Sequence, residues 1–507
     1  MTRREPALAR IVATLPPPRA ESRGKQQESE QARPFWMRPR LRLPRWPRAA
    51  SRGHRGDPGG DRRNPGWFRW LLPAGVAEAT IPLSPQLLLT LLPCGLALGL
   101  VILPIQGLSA LGFLLQRQWH LGVPGLFDPL LPLGVACGTL TVLALAWGPL
   151  SLGRGGGISG VEALQQQSPA PEERDLALLG LRGPAQLARL VLLAGTHLAG
   201  LAVGIESPAA SFGASTLLAL RRRLKVLQAL PLPLAAAVGA GAGLAAAFRS
   251  PLLGVTYALE ELSSERGLPL VLPTLLLAGV GTLVTSDLGV PARVQAVLEG
   301  SPPLILLPWA LLLTVVAALL GVLFLRLLLA LTPRLQGLLR HHFLPTALAV
   351  ALLLGLLAQL SGGLSLNDGS LALGPALAGQ STSPRWAVLP RLISPLLALA
   401  AGAPGGLMHD CMALGAVFSA ALVHRLPPDQ QAMLVAVGAT AVFSAACRTP
   451  LFCAVFVFIL QNNGRLFPWL LLASALAAAI GTVCGGPTWN GFQRAGLEGL
   501  RPVEGGR

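Results

Sequence analysis

Charge is scarce in this chain of 507 residues. Asp, Glu, Lys and Arg make up 12% of it, whereas 52% of the residues are hydrophobic and the mean hydropathy is +0.58. Long uncharged stretches recur, each bounded by charge, which excludes an ordinary soluble globular protein and predicts an all-α polytopic membrane protein. The stretches have uneven lengths, which favours tilted, paired or half-spanning helices over regular crossings.

Cysteine is also rare, and none of the six cysteines belongs to a C-x-x-C pair. We interpret them as small core residues rather than as ligands or disulfides, and the sequence predicts no metal site and no cofactor. The six are Cys94, Cys137, Cys411, Cys447, Cys453 and Cys484.

The net charge of +17 is concentrated at the N-terminus, where residues 1–72 hold 17 Lys and Arg against 6 Asp and Glu. A segment rich in Arg, Pro and Gly cannot bury a core, so we predict that residues 1–75 form a disordered tail. The positive-inside rule places this tail in the cytoplasm, with affinity for anionic headgroups rather than for nucleic acid. An overextended gene start is the alternative interpretation of these residues.

An internal repeat divides the rest of the chain. The sequence AAFRSPL at 246–252 returns as AACRTPL at 445–451, and Gly204, Pro208 and Gly213 have the same spacing as Gly406, Asp410 and Gly415. Such repeats are typical of transporters built from two halves of inverted topology. We therefore predict half-repeats at 76–300 and 301–495, followed by a short C-terminal tail at 496–507.

Glu206 is the most informative single residue, because uncharged runs at 190–205 and 207–220 lie on either side of it. An ionisable group at membrane depth indicates a functional site, and the following Ser207-Pro208 predicts that Glu206 begins a helix. Helix N-termini attract anions, so an acid placed there competes with a bound anion and can act as its gate. A structural carboxylate bonded to nearby backbone amides is the alternative.

Glycine-rich segments at 155–158 and 402–408 predict two further broken helices that converge on this point. In this order the segments resemble those of the CLC family of chloride channels and chloride/proton antiporters, over residues 86–495. The family pattern G-S-G-I-P is similar to 155–159, G-R-E-G-P to 204–208, and G-A-P-G-G-x-F-x-P to 402–410. Residues 245–252, followed by Glu260 and Glu261, resemble the family segment A-A-A-F-N-A-P-L with its E-E pair.

The resemblance implies a homodimer with one anion pathway per subunit. Glu206 is similar to the gating glutamate and Glu261 to the internal glutamate that carries protons in antiporters. The anion-binding positions implied by the family motifs are Gly156, Gly157, Ile158, Leu407, Met408 and Trp489.

Several positions depart from the family pattern. Gly156 replaces a serine whose hydroxyl contacts the anion, and Trp489 replaces a tyrosine, leaving an indole N–H as the donor. Asp410 replaces a proline, and its carboxylate either caps the helix or repels the anion. The chain also differs from the family pattern at Ser159, Ile205 and Met408, where the family has Pro, Arg and Phe.

We therefore expect a multi-pass protein of the cell inner membrane that transports a small anion, chloride or one similar to it, coupled to protons. A passive anion channel on the same fold is the first alternative. A membrane-embedded enzyme or non-transporting paralogue that uses His409, Asp410 or Cys411 is the second, and no enzymatic activity is predicted. Glu261 could also belong to an ordinary charged helix end at the aqueous face.

Overall fold

The computed structural model describes residues 83–120, 130–166, 176, 179–262, 267–291, 294, 300–381 and 383–498. The expected N-terminal tail at 1–75 lies outside these residues. Within them the chain is helical, which confirms the predicted fold class. The last helix ends at Glu498, inside the segment expected as the C-terminal tail.

Two series of helices follow one another along the chain. The first series is α1 Pro85–His120, α2 Leu130–Trp147, α3 Ile158–Gln165, α4 Gly183–Leu198, α5 Glu206–Arg223, α6 Leu232–Phe248, α7 Pro251–Tyr257 and α8 Leu268–Asp287. The second series is α9 Leu307–His341, α10 Phe343–Leu360, α11 Ser370–Leu377, α12 Val388–Ala400, α13 Met408–Val423, α14 Pro428–Cys447, α15 Pro450–Gln461 and α16 Phe467–Val483. A final helix, α17, spans Trp489–Glu498.

The two series match helix by helix. Each begins with a helix of 35 or 36 residues, and each has an eight-residue third helix that follows a glycine in the left-handed conformation, Gly157 or Gly369. Each sixth helix ends at an arginine with positive φ, Arg249 at 55° and Arg448 at 62°. The repeat read from AAFRSPL and AACRTPL is therefore a structural repeat.

The inversion of the two halves is visible at one pair of residues. Gly204 and Gly406 occupy the same repeat position, and they form an isolated antiparallel bridge with one another. Their reciprocal N–H to carbonyl hydrogen bonds measure 2.9 and 2.8 Å. Two equivalent residues that exchange identical hydrogen bonds are related by a local two-fold axis. This axis passes between Gly204 and Gly406.

Glycines allow the central helices to approach closely. A Cβ atom on Gly213 of α5 would lie 2.6 Å from the Cα of Gly243 in α6, and one on Gly415 of α13 would lie 2.8 Å from the Cα of Ala439 in α14. Small residues at such crossings are typical of membrane helix packing. The glycine echo at 213 and 415 thus reflects equivalent helix contacts in the two halves.

Within the part of the chain that the structure describes, six helical segments are long and apolar enough to cross a membrane, the longest being Leu304–His341. Other apolar helices, such as Met408–Val423, are shorter. Because α5 and α13 begin deep inside the protein, their first turns can surround a buried polar site.

Candidate functional site

Three helix N-termini meet at the two-fold axis, as the glycine-rich segments predicted. Helices α3, α5 and α13 begin at Ile158, Glu206 and Met408. Gly156, just before α3, packs so closely that an added Cβ would lie 2.5 Å from Ser207 Cβ and 2.9 Å from the Gly405 carbonyl oxygen. The first backbone N–H groups of a helix have no carbonyl partner in the preceding turn, so a junction of three helix N-termini is favourable for negative charge.

The Glu206 side chain lies at this junction and is fully buried. Its Oε1 atom accepts a hydrogen bond of 3.0 Å from the backbone N–H of His409 in the first turn of α13. The carboxylate also rests against Gly406, where an added Cβ would lie 2.6 Å from Oε2. Glu206 therefore takes up a helix N-terminal donor from the other half of the protein, which a bound anion would otherwise use.

His409 adds a second contact to the same oxygen, because its Nδ1 atom lies 2.6 Å from Glu206 Oε1. The imidazole stacks on Phe248 with ring centroids 5.3 Å apart and meets the Phe456 ring edge-on at the same distance. The sequence indicated His409 only as a residue that an enzyme or a non-transporting paralogue could use, and it did not predict this contact. The partner is 203 residues away, and no local spacing signals it.

Asp410 points to a different partner, as expected for consecutive residues on a helix. Its carboxylate is paired with Arg391 of α12, and both side chains are buried. Arg391 also donates to the carbonyl oxygens of Ser365 and Asn367, at 3.2 and 3.1 Å. The pairing with Arg391 compensates the charge that was expected to cap α13 or repel an anion.

Arg391 has a counterpart in the first half. Arg189 of α4 is buried beneath the loop that precedes α3, and its Nε atom donates to the Gly155 carbonyl at 3.3 Å. Each arginine lies against the left-handed glycine before the short third helix, since an added Cβ on Gly157 would be 2.5 Å from Arg189 Cζ and one on Gly369 would be 2.6 Å from Arg391 Cζ. The two arginines thus support equivalent loops beside the site.

A cavity lies on one side of Glu206. We call it the Glu261 cavity, and its lining includes Ser207, Tyr257, Glu261, Leu407, Met408 and Trp489. Four predicted site residues therefore share one cavity, namely Leu407, Met408, Trp489 and Glu261. The other three anion-site residues do not line it: Gly156 and Gly157 form the tight turn before α3, and Ile158 is buried at its start.

Glu261 belongs to a π-helical turn, Ala258–Leu262, that follows α7. Its Oε1 atom accepts a hydrogen bond of 2.8 Å from Asn490 Nδ2, and its carboxyl group hydrogen-bonds that of Glu162. Two carboxyl groups can bond in this way only when one of them carries a proton. A proton on either carboxyl group would therefore be shared by the pair at the edge of the cavity.

Glu162 was not among the residues singled out from the sequence. It lies on α3, is buried, and has Arg494 Nη1 3.8 Å from its Oε2 atom. A signal was present, because Glu162 is the only charged residue between Arg154 and Glu172. The rule that drew attention to Glu206 applies equally to this carboxylate.

Glu260 differs from its neighbour. Its two oxygens accept hydrogen bonds from the backbone N–H groups of Leu451 and Phe452, at 3.0 and 2.7 Å. These groups belong to the first turn of α15, so Glu260 caps that helix from the opposite half. Adjacent carboxylates thus face different surroundings.

A second cavity lies on the other side of Glu206. We call it the Arg249 cavity, and its lining includes Gln106, Ile205, Phe248, Arg249, Ser370 and His409. The two residues that flank Glu206 in the sequence therefore line different cavities, Ile205 this one and Ser207 the Glu261 cavity. Arg249 Nε also donates to the Thr285 carbonyl at 3.1 Å and so connects the ends of α6 and α8.

Comparison with known proteins agrees with this architecture. A family model described as voltage gated chloride channel matches residues 137–482. The chain belongs to this family. This confirms the resemblance to the CLC proteins and makes the chain an integral, multi-pass membrane protein.

Two relatives of this CLC chain carry the description H(+)/Cl(-) exchange transporter ClcA. The one from Vibrio vulnificus (strain YJ016) is 27% identical over 258 residues, covering 48% of this chain and 55% of the relative. The one from Yersinia pestis is 28% identical over 263 residues, covering 48% and 54%. The chain thus spans about half the length of the curated relatives it matches.

Solved structures share the fold of this CLC chain. A slow cyanobacterial Cl−/H+ antiporter superposes with a TM-score of 0.66 at 23% identity, covering 82% of this chain and 98% of the antiporter. A CLC-type fluoride/proton antiporter gives 0.61 at 20% identity, covering 78% and 95%. Both similarities support the fold class.

Proposed function

We propose that this protein transports a small inorganic anion, with chloride as the first candidate, across the membrane in exchange for protons. Glu206 acts as the gate, and Glu261 exchanges protons at the other end of the Glu261 cavity. The observation that carries the proposal is the 3.0 Å hydrogen bond from the His409 backbone N–H to Glu206, where helices of both halves begin. The relatives described as H(+)/Cl(-) exchange transporters support the choice of anion and coupling.

The gate works by competition for N–H groups. A charged Glu206 carboxylate satisfies the donor of α13 and excludes another anion from the same place. Protonation removes the charge that attracts the carboxyl group to the helix ends, so the side chain leaves and an anion can bind there. Each opening of the gate therefore carries a proton on Glu206.

Proton delivery requires a second acid. Glu261 lines a cavity that is also lined by Ser207, the residue after the gate, and by Met408, the residue before His409. The hydrogen bond between Glu261 and Glu162 keeps a proton available at this position. Proton transfer between Glu206 and Glu261 across the cavity then couples anion movement to proton movement.

Flux in proteoliposomes tests the proposal. The wild-type protein should release chloride and, under an outward chloride gradient, drive protons uphill. Glu206→Gln mimics the protonated gate, so chloride flux should persist while uphill proton movement is lost. Chloride flux without proton movement in the wild type would instead identify a passive channel, and the absence of anion flux would refute transport. Parallel measurements with nitrate, bromide and fluoride identify the preferred anion.

We also propose that two copies of the chain assemble into a dimer with one anion pathway in each subunit, in the cell inner membrane, and that the basic segment at 1–75 is cytoplasmic. Cross-linking in native membranes followed by electrophoresis tests the dimer. Protease treatment of inside-out vesicles, which expose the cytoplasmic face, tests the location of the tail. Cleavage of the tail in these vesicles would support the cytoplasmic location, and protection would contradict it.

A further inference from the structure

Four residues with a hydroxyl group line the Glu261 cavity, and no motif assigned any of them to the anion: Ser207, Tyr257, Thr449 and Thr488. Thr449 Oγ1 contacts Cys453 Sγ and Thr488 Oγ1 accepts a hydrogen bond from the Gly491 N–H, which leaves Ser207, at the second position of α5, and Tyr257, at the end of α7. We propose that these two hydroxyls donate hydrogen bonds to an anion in this cavity, and so replace the serine and tyrosine hydroxyls that the family pattern has at the positions of Gly156 and Trp489. This inference rests on the proposed function and assigns its anion ligands.

The Tyr257 hydroxyl is the stronger observation. Tyr257 is the only tyrosine of the chain, its side chain is 1% exposed, and its Oη atom has no hydrogen-bond partner among the described residues. A buried hydroxyl without a partner is costly, because its water contacts are lost without replacement. An anion in the cavity that this residue lines would satisfy the hydroxyl.

The ring of Tyr257 is held in place by its neighbours. It packs against Phe452 with ring centroids 4.8 Å apart, at an angle of 39°. Rigid packing favours binding, since little side-chain freedom is lost when the ligand arrives. Trp489 lines the same cavity and stacks on Phe492 with ring centroids 6.0 Å apart.

Ser207 completes an exchange with Gly156. The family pattern places serine at the position of Gly156 and glycine at that of Ser207, and this chain has the reverse. The two positions touch, because an added Cβ on Gly156 would lie 2.5 Å from Ser207 Cβ. Side chains at both positions would therefore clash, and the exchange keeps one hydroxyl at the same junction.

Ser207 and Tyr257 therefore line the cavity from α5 and α7, whereas the anion-binding positions implied by the family motifs lie at the starts of α3, α13 and α17. Leu407 and Met408 line the same cavity beside the start of α13. An anion bound here would receive hydroxyl donors together with the favourable field of the helix N-termini. Donors of this kind suit a small, weakly basic anion such as chloride.

Isothermal titration of the full-length protein in detergent with sodium chloride tests the assignment without requiring transport. Tyr257→Phe removes only the hydroxyl and should weaken chloride binding about 10-fold or more, since a hydrogen bond to a charged group is lost. Thr256→Val is the matched control, because the Thr256 hydroxyl bonds the Leu252 and Leu253 carbonyls and does not line the cavity. This control should bind chloride as the wild type does.

Two rescue variants separate donor loss from damage to the fold. Tyr257→Phe with Trp489→Tyr should regain affinity, because a hydroxyl returns to the lining of the cavity. Ser207→Gly should weaken binding, and Gly156→Ser with Ser207→Gly should restore part of it, because the new Cβ would still lie 2.9 Å from the Gly405 carbonyl oxygen and the loop must shift slightly. Monodisperse elution and an unchanged unfolding temperature establish that each variant is folded.

Unchanged chloride affinity in Tyr257→Phe would overturn the assignment, even if proton flux were reduced, because the hydroxyl would then serve the proton path alone. Failure of both rescues would also overturn it. A wild-type protein that binds chloride in titration but moves none in liposomes would refute the transport proposal while leaving these ligands supported.

Discussion

The backbone N–H and the imidazole Nδ1 of His409 both contact the same oxygen of Glu206, at 3.0 and 2.6 Å. One residue of the second half thus holds the proposed gate of the first half in two ways. The ring cannot easily turn away, since Phe248 and Phe456 enclose it. It also lines the Arg249 cavity, so the contact connects Glu206 to that side of the protein.

His409→Ala should open the gate more often. The substitution keeps the backbone N–H but removes the imidazole, and a hydrogen bond to a charged group contributes about 1.5–3 kcal/mol. We expect faster chloride efflux from proteoliposomes at pH 7. Charged groups around this contact are Glu206, Arg249 lining the same cavity, and the Asp410 and Arg391 pair.

His341→Ala is the control for this prediction, because His341 is exposed at the end of α9. It should leave the rate of chloride efflux unchanged. A His409→Ala protein with the wild-type rate would show that the imidazole does not hold the gate.

Gly204→Ala should displace the Glu206 carboxylate. All three nearest atoms to an added Cβ belong to this carboxyl group, with Cδ at 2.5 Å, so the end of one flexible side chain must move. Gly204 is not among the glycines with positive φ, so alanine is compatible with the backbone. Proteoliposomes should therefore show chloride flux with weakened proton coupling, resembling Glu206→Gln.

The control for this glycine is Gly279→Ala in α8, where nothing lies within 4 Å of an added Cβ. It should behave as the wild type in flux. If Gly204→Ala retained full proton coupling, the position of the Glu206 carboxylate against Gly204 would not be required for gating.

Glu260 and Glu261 allow two roles to be separated at adjacent positions. Glu261→Gln should reduce proton coupling with little effect on stability, because its carboxyl group lines the cavity and bonds Asn490 and Glu162. Glu260→Gln should keep the coupling but lower stability by about 1 kcal/mol, since a cap of α15 is weakened. Proton and chloride flux are measured together with thermal unfolding in detergent, and the opposite pattern would exchange the two assignments.

The fold could be predicted largely from local signals. Ser207 and Pro208 predicted a helix that begins at Glu206, and the echo between Gly204 and Gly406 predicted two related halves, because both signals depend on short segments. The partners of individual side chains could not be predicted in this way. His409 meets Glu206, and Asp410 meets Arg391, only because separate helices approach one another in three dimensions. Glu162 could have been found, since its charge is isolated in the sequence, but its bond to Glu261 required the folded chain.

Asp410→Asn should destabilise the protein more than most single substitutions. Arg391 and Asp410 are both buried, and removal of one charge leaves the other without its partner, at a cost of about 3–5 kcal/mol. Arg391 keeps its bonds to the Ser365 and Asn367 carbonyls, so we expect the lower part of this range. Thermal unfolding of the purified protein should show a clear fall in midpoint temperature.

Asp287→Asn provides the matched control, since Asp287 is exposed at the end of α8 and the same atoms are exchanged. It should leave the midpoint unchanged within error. An Asp410→Asn protein as stable as this control would mean that the guanidinium of Arg391 is satisfied by the carbonyl oxygens alone. The carboxylate at 410 would then be free to act on the anion, and chloride affinity would rise once it is removed, because a negative charge would have left the first turn of α13.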